Sequence, residues 1–205
     1  MRAALRWWVE GGEADRGVRL AAALYRFWRI HGHIAEGRRW LDAVLALPGG
    51  SATPARATAL HGAGLLATEH GDHARGIACY EESVALWWVL GDARGPEVAR
   101  TLGNLASQVC LLGDYERAAL LFEEVLAIGR ETGDALTRAA ALMGLGAVAH
   151  DRGEDGRAWG LLEEALALSR DLGDAWGVAW ACCLAGGVPM HRGTTRGRLA
   201  CTPRV

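Results

Sequence analysis

Histidine, cysteine and paired carboxylates are the side chains from which this chain could assemble a reactive centre. His31 and His33 stand two positions apart, and His70 and His73 three. Two imidazoles so close can begin a metal site. Four-coordinate zinc, however, needs further ligands in a defined shell, and no cysteine or aspartate cluster accompanies either pair. Cys182 and Cys183 are adjacent rather than C-x-x-C, which is neither a redox nor a zinc spacing. The pairs Glu81-Glu82, Glu123-Glu124 and Glu163-Glu164 suggest acid–base work, but they recur in register. Carboxylates that divide acid and base roles need unlike environments, so the recurrence reads as one solvated helix position written three times. Ser83, Ser107 and Ser169 lie in helical stretches without the elbow that exposes a serine nucleophile. All 22 cationic residues are arginine, which removes any P-loop, kinase or Schiff-base lysine. The reading is therefore a non-enzyme with no catalytic residue, no cofactor and no metal. A metal protein or enzyme built on His31, His33, His70 and His73 is the remote alternative.

The elements that carry these residues are repeated helices. Asp72 to Asp92, Asp114 to Asp134 and Glu154 to Asp174 each read as a helix with a mid-way Glu-Glu pair and a Gly-Asp stop. Gly71, Gly113 and Gly153 are spaced 42 and 40 residues apart, and a fixed period in this range marks a helical solenoid. Before them, helices are expected over 3–10, 15–30 and 34–47, with turns at Gly11-Gly12, Gly32 and Pro48-Gly49-Gly50. Thr53-Pro54 suits an N-cap followed by proline at the first helical position. From there the expected pairs are 55–70 with 74–90, 96–112 with 116–132, and 135–152 with 157–172. A last helix over 175–184 is expected to fail at Gly186-Gly187 and Pro189. Residues 1–12 then form a partial helix of an incomplete preceding repeat, 13–188 a solenoid, and 189–205 a disordered basic tail.

Composition sets the remaining bounds. The chain has 205 residues, half of them apolar, and a net charge of −2, which gives no general attraction to nucleic acid or to a membrane surface. Five cysteines at irregular spacing argue against a disulfide framework. The N-terminal stretch lacks the apolar core of a signal peptide, and no run approaches the roughly 18–20 apolar residues of a membrane span. A cytoplasmic setting is expected, and the abundance of alanine, glycine and arginine without lysine suggests a GC-rich bacterial genome. Trp28, Trp40, Trp159 and Trp176 read as filler between helices. Trp87 and Trp88 cannot both face one way, so one of them is expected at the surface.

The residues on the pairs follow a small-and-large pattern: Leu102, Leu105, Ala106 and Val109, then Ala118, Phe122 and Val125; Leu142, Leu145, Gly146 and Ala149, then Ala158, Leu162 and Ala165; Leu60, Ala63, Gly64 and Ala67, then Gly76, Tyr80 and Ser83. This pattern resembles the tetratricopeptide repeat, with 40–42 residues in place of the usual 34. The resemblance implies an all-α, right-handed superhelical solenoid of antiparallel helix pairs. The long repeats with a Gly-Asp stop resemble the repeat regions of bacterial ATPase transcription regulators of the LuxR/MalT kind. In this family the first helix of each pair lines a concave groove. Carried over, that face comprises Arg19, Arg26, Arg29, His61, Glu69, Arg100, Asn104, Ser107, Met143 and His150. Arg19, Arg26 and Arg29 are seven and three residues apart, hence on one helix face. Their guanidiniums can grip a carboxylate or an acidic peptide by forked hydrogen bonds; the plainer reading is a solvated stripe. The family implies a protein or peptide partner and a scaffold or sensor role in signalling or transcription regulation; with the near-zero net charge, no direct contact of this segment with nucleic acid or membrane is expected. A small-molecule effector in an Arg- and Trp-lined pocket is the alternative. Open apolar faces at both ends of such a solenoid favour self-association.

Overall fold

The computed structural model describes residues 2–48 and 51–187. Every regular element among them is helical. The helices are α1 (Arg2–Glu10), α2 (Ala14–Ile30), α3 (Ile34–Leu45), α4 (Pro54–Glu69), α5 (His73–Val89), α6 (Pro96–Leu111), α7 (Tyr115–Glu131), α8 (Ala135–Asp151), α9 (Asp155–Asp171) and α10 (Ala175–Gly187). They fall into two compact units, Met1–Gln108 and Val109–Val205.

The turns follow from the chemistry of the punctuating residues. At the end of α4, Gly71 takes φ 86°, a left-handed conformation open to glycine without steric cost. The Gly71 amide then donates to the Thr68 carbonyl at 3.0 Å and the Asp72 amide to the Ala67 carbonyl at 2.9 Å, closing the helix with a Schellman motif. The next residue opens the following helix. Asp72 accepts from the Arg75 amide at 3.2 Å, and Asp114 from the Arg117 amide at 3.1 Å. Asp134 accepts from both the Leu136 and Thr137 amides, at 3.0 and 3.3 Å. Thr53 caps α4 through the Arg56 amide, with Pro54 behind it. Each such cap contributes about 1 kcal/mol.

In unit 1, α2 packs on α3 and on α4, and α4 on α5. The α4–α5 crossing depends on small residues. A Cβ added to Gly64 would lie 2.7 Å from Tyr80 Cε1 and 3.1 Å from the Gly76 carbonyl oxygen, so any side chain there would force the helices apart. Further along the crossing, the buried Ser83 hydroxyl donates to the Ala57 carbonyl at 2.8 Å. Trp28, Leu41, Leu60, Leu66 and Tyr80 fill the space around these contacts and are almost wholly buried. Unit 2 packs α7 on α8, α8 on α9, and α10 on α9 and α8. A cluster of Ala149, Ala158, Leu162 and Ala185 forms part of its core.

Two expectations change. Helix α10 runs on through Gly186 and Gly187 instead of failing at them, because glycine lowers helix stability by only about 1 kcal/mol without breaking the hydrogen-bond ladder. Trp176 is not filler: it is 69% exposed and stacks face to face on Trp180, centroids 5.7 Å apart. Trp28 and Trp40 are buried as expected, and of the Trp87-Trp88 pair it is Trp88 that reaches the surface. No helix among the described residues is long and apolar enough to cross a membrane. The expected disordered tail, 189–205, lies outside the described residues.

Candidate functional site

The candidate face in unit 1 is built on α2, α4 and the first part of α6. The seven-and-three spacing on α2 leaves Arg19, Arg26 and Arg29 exposed, while Val18, Ala21, Tyr25 and Trp28 of the same helix turn into the core. Arg29 Nε donates to Glu69 Oε1 at 2.5 Å, joining the ends of α2 and α4. Arg26 Nε donates to the Tyr25 phenolic oxygen at 3.0 Å, and its guanidinium lies 5.8 Å from that ring's centroid. Arg19 makes no hydrogen bond or ion pair among the described residues. On α6, Arg100 pairs with Glu97 one turn earlier, and its Nε is buried without a hydrogen-bond partner. Asn104 is half-buried, and Ser107 is exposed with its hydroxyl donating to the Gly103 carbonyl at 2.9 Å.

His61 does not belong to the surface. Only 2% of it is exposed. Its ring meets Tyr25 edge-on with centroids 5.8 Å apart and Tyr80 at 5.7 Å, and Nδ1 shares a 3.1 Å hydrogen bond with the Thr101 hydroxyl. Burial, then the charges of Arg100, Arg26 and Arg29, push its pKa down to about 3, so the imidazole is neutral. His61 is thus the floor beneath the arginines. Sequence reasoning placed it on the face because helical periodicity fixes a direction but not the bulk of the neighbouring helix, and Tyr25 closes over it. In unit 2, Met143 is likewise buried, 6% exposed. His150 is half-buried and bonds Asp155 through Nδ1 at 3.1 Å.

Glu97 and Tyr25 were missed. Glu97 had a readable signal, since it precedes Arg100 by three positions and such helix pairs meet. Tyr25 had none beyond its neighbour.

The groups that could do other chemistry are committed elsewhere. His31 and His33 lie against Phe27, centroids 4.5 and 6.0 Å away. His73 Nδ1 bonds the Gln108 side-chain oxygen at 2.9 Å. No three His, Cys, Asp or Glu side chains among the described residues are grouped to hold a metal ion. The glutamate pairs face outward: Glu82 approaches Arg56 at 3.8 Å, Glu123 approaches Arg157 at 3.8 Å, and Glu163 accepts from the Trp159 indole at 3.0 Å. Burial raises the Cys79 and Cys110 thiols to about 11, far from the depressed values of nucleophilic thiolates. A separate open cavity of about 440 Å³ is lined by Arg2, Ala3, Phe27, Trp28, His33 and Glu36. Arg2 forks onto both Glu36 carboxylate oxygens there, at 2.6 Å each.

Antiparallel helix pairs, crossed at small residues and punctuated by Gly-Asp, define a helical-repeat protein. The family model of the tetratricopeptide repeat matches residues 55–131 and again 97–171, more than half of the chain. The chain belongs to the tetratricopeptide repeat family. Among solved structures it is similar to a Podosopora anserina kinesin light chain with nearly identical TPR-like repeats, at 21% identity and a TM-score of 0.69, with 85% of this chain and 88% of that one covered. It is also similar to BtubC (BKLC) from P. vanneervenii, at 17% identity and a TM-score of 0.67 over 90% and 85% of the two chains. The apo form of RapI gives 11% identity and a TM-score of 0.68, covering 83% of this chain and 48% of RapI. At these identities the likeness establishes the fold. No curated protein sequence matches the chain.

Proposed function

We propose that this chain is a non-catalytic scaffold or sensor segment that holds an acidic peptide or protein partner against the arginine face of unit 1. The observation that carries the reading is the unequal state of the arginines. Arg29 and Arg100 are occupied by Glu69 and Glu97, whereas Arg19 and Arg26 stand exposed with no ion pair among the described residues. Two guanidiniums without a carboxylate beside two that already hold one form a surface matched to a further carboxylate. Arg26, laid against the Tyr25 ring, is partly pre-oriented, which lowers the entropy lost on binding. Asn104 and Ser107 extend the face with neutral hydrogen-bonding groups. His61 beneath stays uncharged, so the positive charge of the face comes from its arginines. We place the segment in the cytoplasm of a bacterium, in a signalling protein or a transcription regulator of the LuxR/MalT kind. The support is the lysine-free, Ala- and Gly-rich composition and the long Gly-Asp-punctuated repeats. Selection from a displayed peptide library tests the binding claim. The expected winners are rich in Asp and Glu and are lost when the bait carries Arg19→Glu and Arg26→Glu. Winners without acidic residues, or ones indifferent to the charge reversal, overturn it.

The 440 Å³ cavity favours a second reading, a small-molecule effector held by Arg2 and Glu36 against Phe27 and Trp28. Saturable quenching of tryptophan fluorescence by a carboxylated metabolite, abolished by Arg2→Ala, would support it; an unchanged spectrum across such ligands would remove it.

A further inference from the structure

The arginines of unit 1 do not stand apart from one another. Arg26 and Arg29 come from α2 and Arg100 from α6, and the charges of all three reach the His61 ring on α4. Two carboxylates lie among them: Glu69 at the end of α4 and Glu97 in the first turn of α6. Arg29 holds Glu69, and Arg100 holds Glu97. The Glu97 charge also acts on Arg26 of α2.

The way these two pairs are made is informative. Arg29 donates to Glu69 through Nε, a single hydrogen bond. Arg100 donates to Glu97 through one terminal nitrogen, and its Nε is left buried without an acceptor. Neither has the forked geometry that makes an arginine–carboxylate pair strong, the geometry with which Arg2 holds Glu36 elsewhere in unit 1. All four side chains are also partly exposed, so each pair adds little to stability. The tie between α4 and α6 is made beneath them by neutral groups. His61 Nδ1 shares a hydrogen bond with the Thr101 hydroxyl, which itself donates to the backbone carbonyl of Glu97, not to its carboxylate. The two glutamates thus cover arginines of the face without being its fasteners.

We propose that Glu69 and Glu97 are internal stand-ins for the ligand, covering Arg29 and Arg100 until a partner segment with a run of carboxylates displaces them. The inference rests on the acidic-peptide reading above and adds what sets its selectivity. A lone carboxylate reaches only Arg19 or Arg26, because it cannot compete with glutamates held in place at high effective concentration. A run already anchored on Arg19 and Arg26 competes for the other two on equal, intramolecular terms. The resting face therefore discriminates against isolated acidic residues.

Titration of the full chain at low salt with two labelled peptides tests this, one carrying a single glutamate and one a run of glutamates. The run should bind the wild type more tightly. Glu69→Gln and Glu97→Gln should each tighten the run by about twofold to fivefold, the size of an exposed ion pair, and tighten the single-glutamate peptide less. Glu82→Gln removes the same charge from α5, where Glu82 approaches Arg56, and should change neither. If Glu97→Gln disturbs the start of α6, where an acid is favoured, Glu69→Gln carries the test alone. Equal affinity of the wild type and Glu69→Gln for the run overturns the inference, as does an equal gain in Glu82→Gln. Should the Arg19→Glu, Arg26→Glu variant still lose binding in that case, the acidic-peptide reading stands and only the displacement falls. If neither the wild type nor the Glu→Gln variants bind either peptide, both fall.

Discussion

Acidification should destabilise unit 1 through a single imidazole. His61 is folded into a site where burial and three guanidiniums keep it neutral down to about pH 3. In the unfolded chain the same ring takes a proton near 6.5. Below pH 6.5 the unfolded state therefore binds more protons than the folded state, and stability falls with pH until the folded pKa is reached. The loss runs at about 1.4 kcal/mol per pH unit well below 6.5. Between pH 7 and pH 5 it comes to about 2 kcal/mol, because most of the first half-unit lies above the unfolded pKa. Urea denaturation followed by circular dichroism at both pH values reads this directly. With urea slopes of about 1–3 kcal/mol per molar, the midpoint should move by about 1 M more than carboxylate titration alone would move it. His61→Phe supplies that baseline. A phenyl ring keeps the contacts with Tyr25 and Tyr80, and Thr101 still donates to the Glu97 carbonyl at 2.7 Å. The variant should lose about 2 kcal/mol less than the wild type over the same interval. Equal losses in the two proteins would refute the reasoning, as would a His61 resonance titrating near 6.5 in the folded state.

Other outcomes follow from the same contacts. Asp134→Ala removes a carboxylate that accepts from two amides and from the Thr137 hydroxyl, and should lower the stability of unit 2 by about 1 kcal/mol in a thermal melt. The same bonds depress the Asp134 pKa, so its contribution is present above the ordinary aspartate pKa and lost as pH falls through the depressed one. The variant should show less acid sensitivity. Gly64→Val should destabilise unit 1 by about 1–3 kcal/mol, because its Cβ meets the buried Tyr80 ring at 2.7 Å. Gly103→Ala meets nothing within 4 Å and should stabilise by about 0.5–1 kcal/mol in the same melt, through helix propensity. Reversing Glu69 to Arg should change stability by under about 1 kcal/mol, since its pair with Arg29 is solvent-exposed.

Helix placement was legible because this chain states it several times over. Gly-Asp recurs every 40–42 residues, and the glycine and aspartate each satisfy a different set of orphan backbone groups, so the observed ends of α1 to α9 lie within about two residues of those read from sequence. The family pattern was legible for the same reason: small residues sit where Gly64 meets Tyr80 and where Gly146 meets Leu162. The face was legible only in part. Charge and spacing located Arg19, Arg26 and Arg29, because arginine is rarely buried unpaired. Residues of middling polarity were not resolved. His61 and Met143 read as face residues yet are covered by bulk from adjacent elements. Trp176 failed in the opposite direction. Tryptophan on an apolar helix reads as core, but α10 is apolar all round, so periodicity gave it no inside.

The most direct test of the partner-binding account is a titration of a fluorescent, aspartate- and glutamate-rich peptide, followed by anisotropy at low and high salt. The account predicts saturable binding to the wild type that weakens as salt rises. It also predicts at least a tenfold loss for the Arg19→Glu, Arg26→Glu double variant, with helicity unchanged. Equal binding by wild type and double variant, or no binding of acidic peptide at low salt, would contradict it.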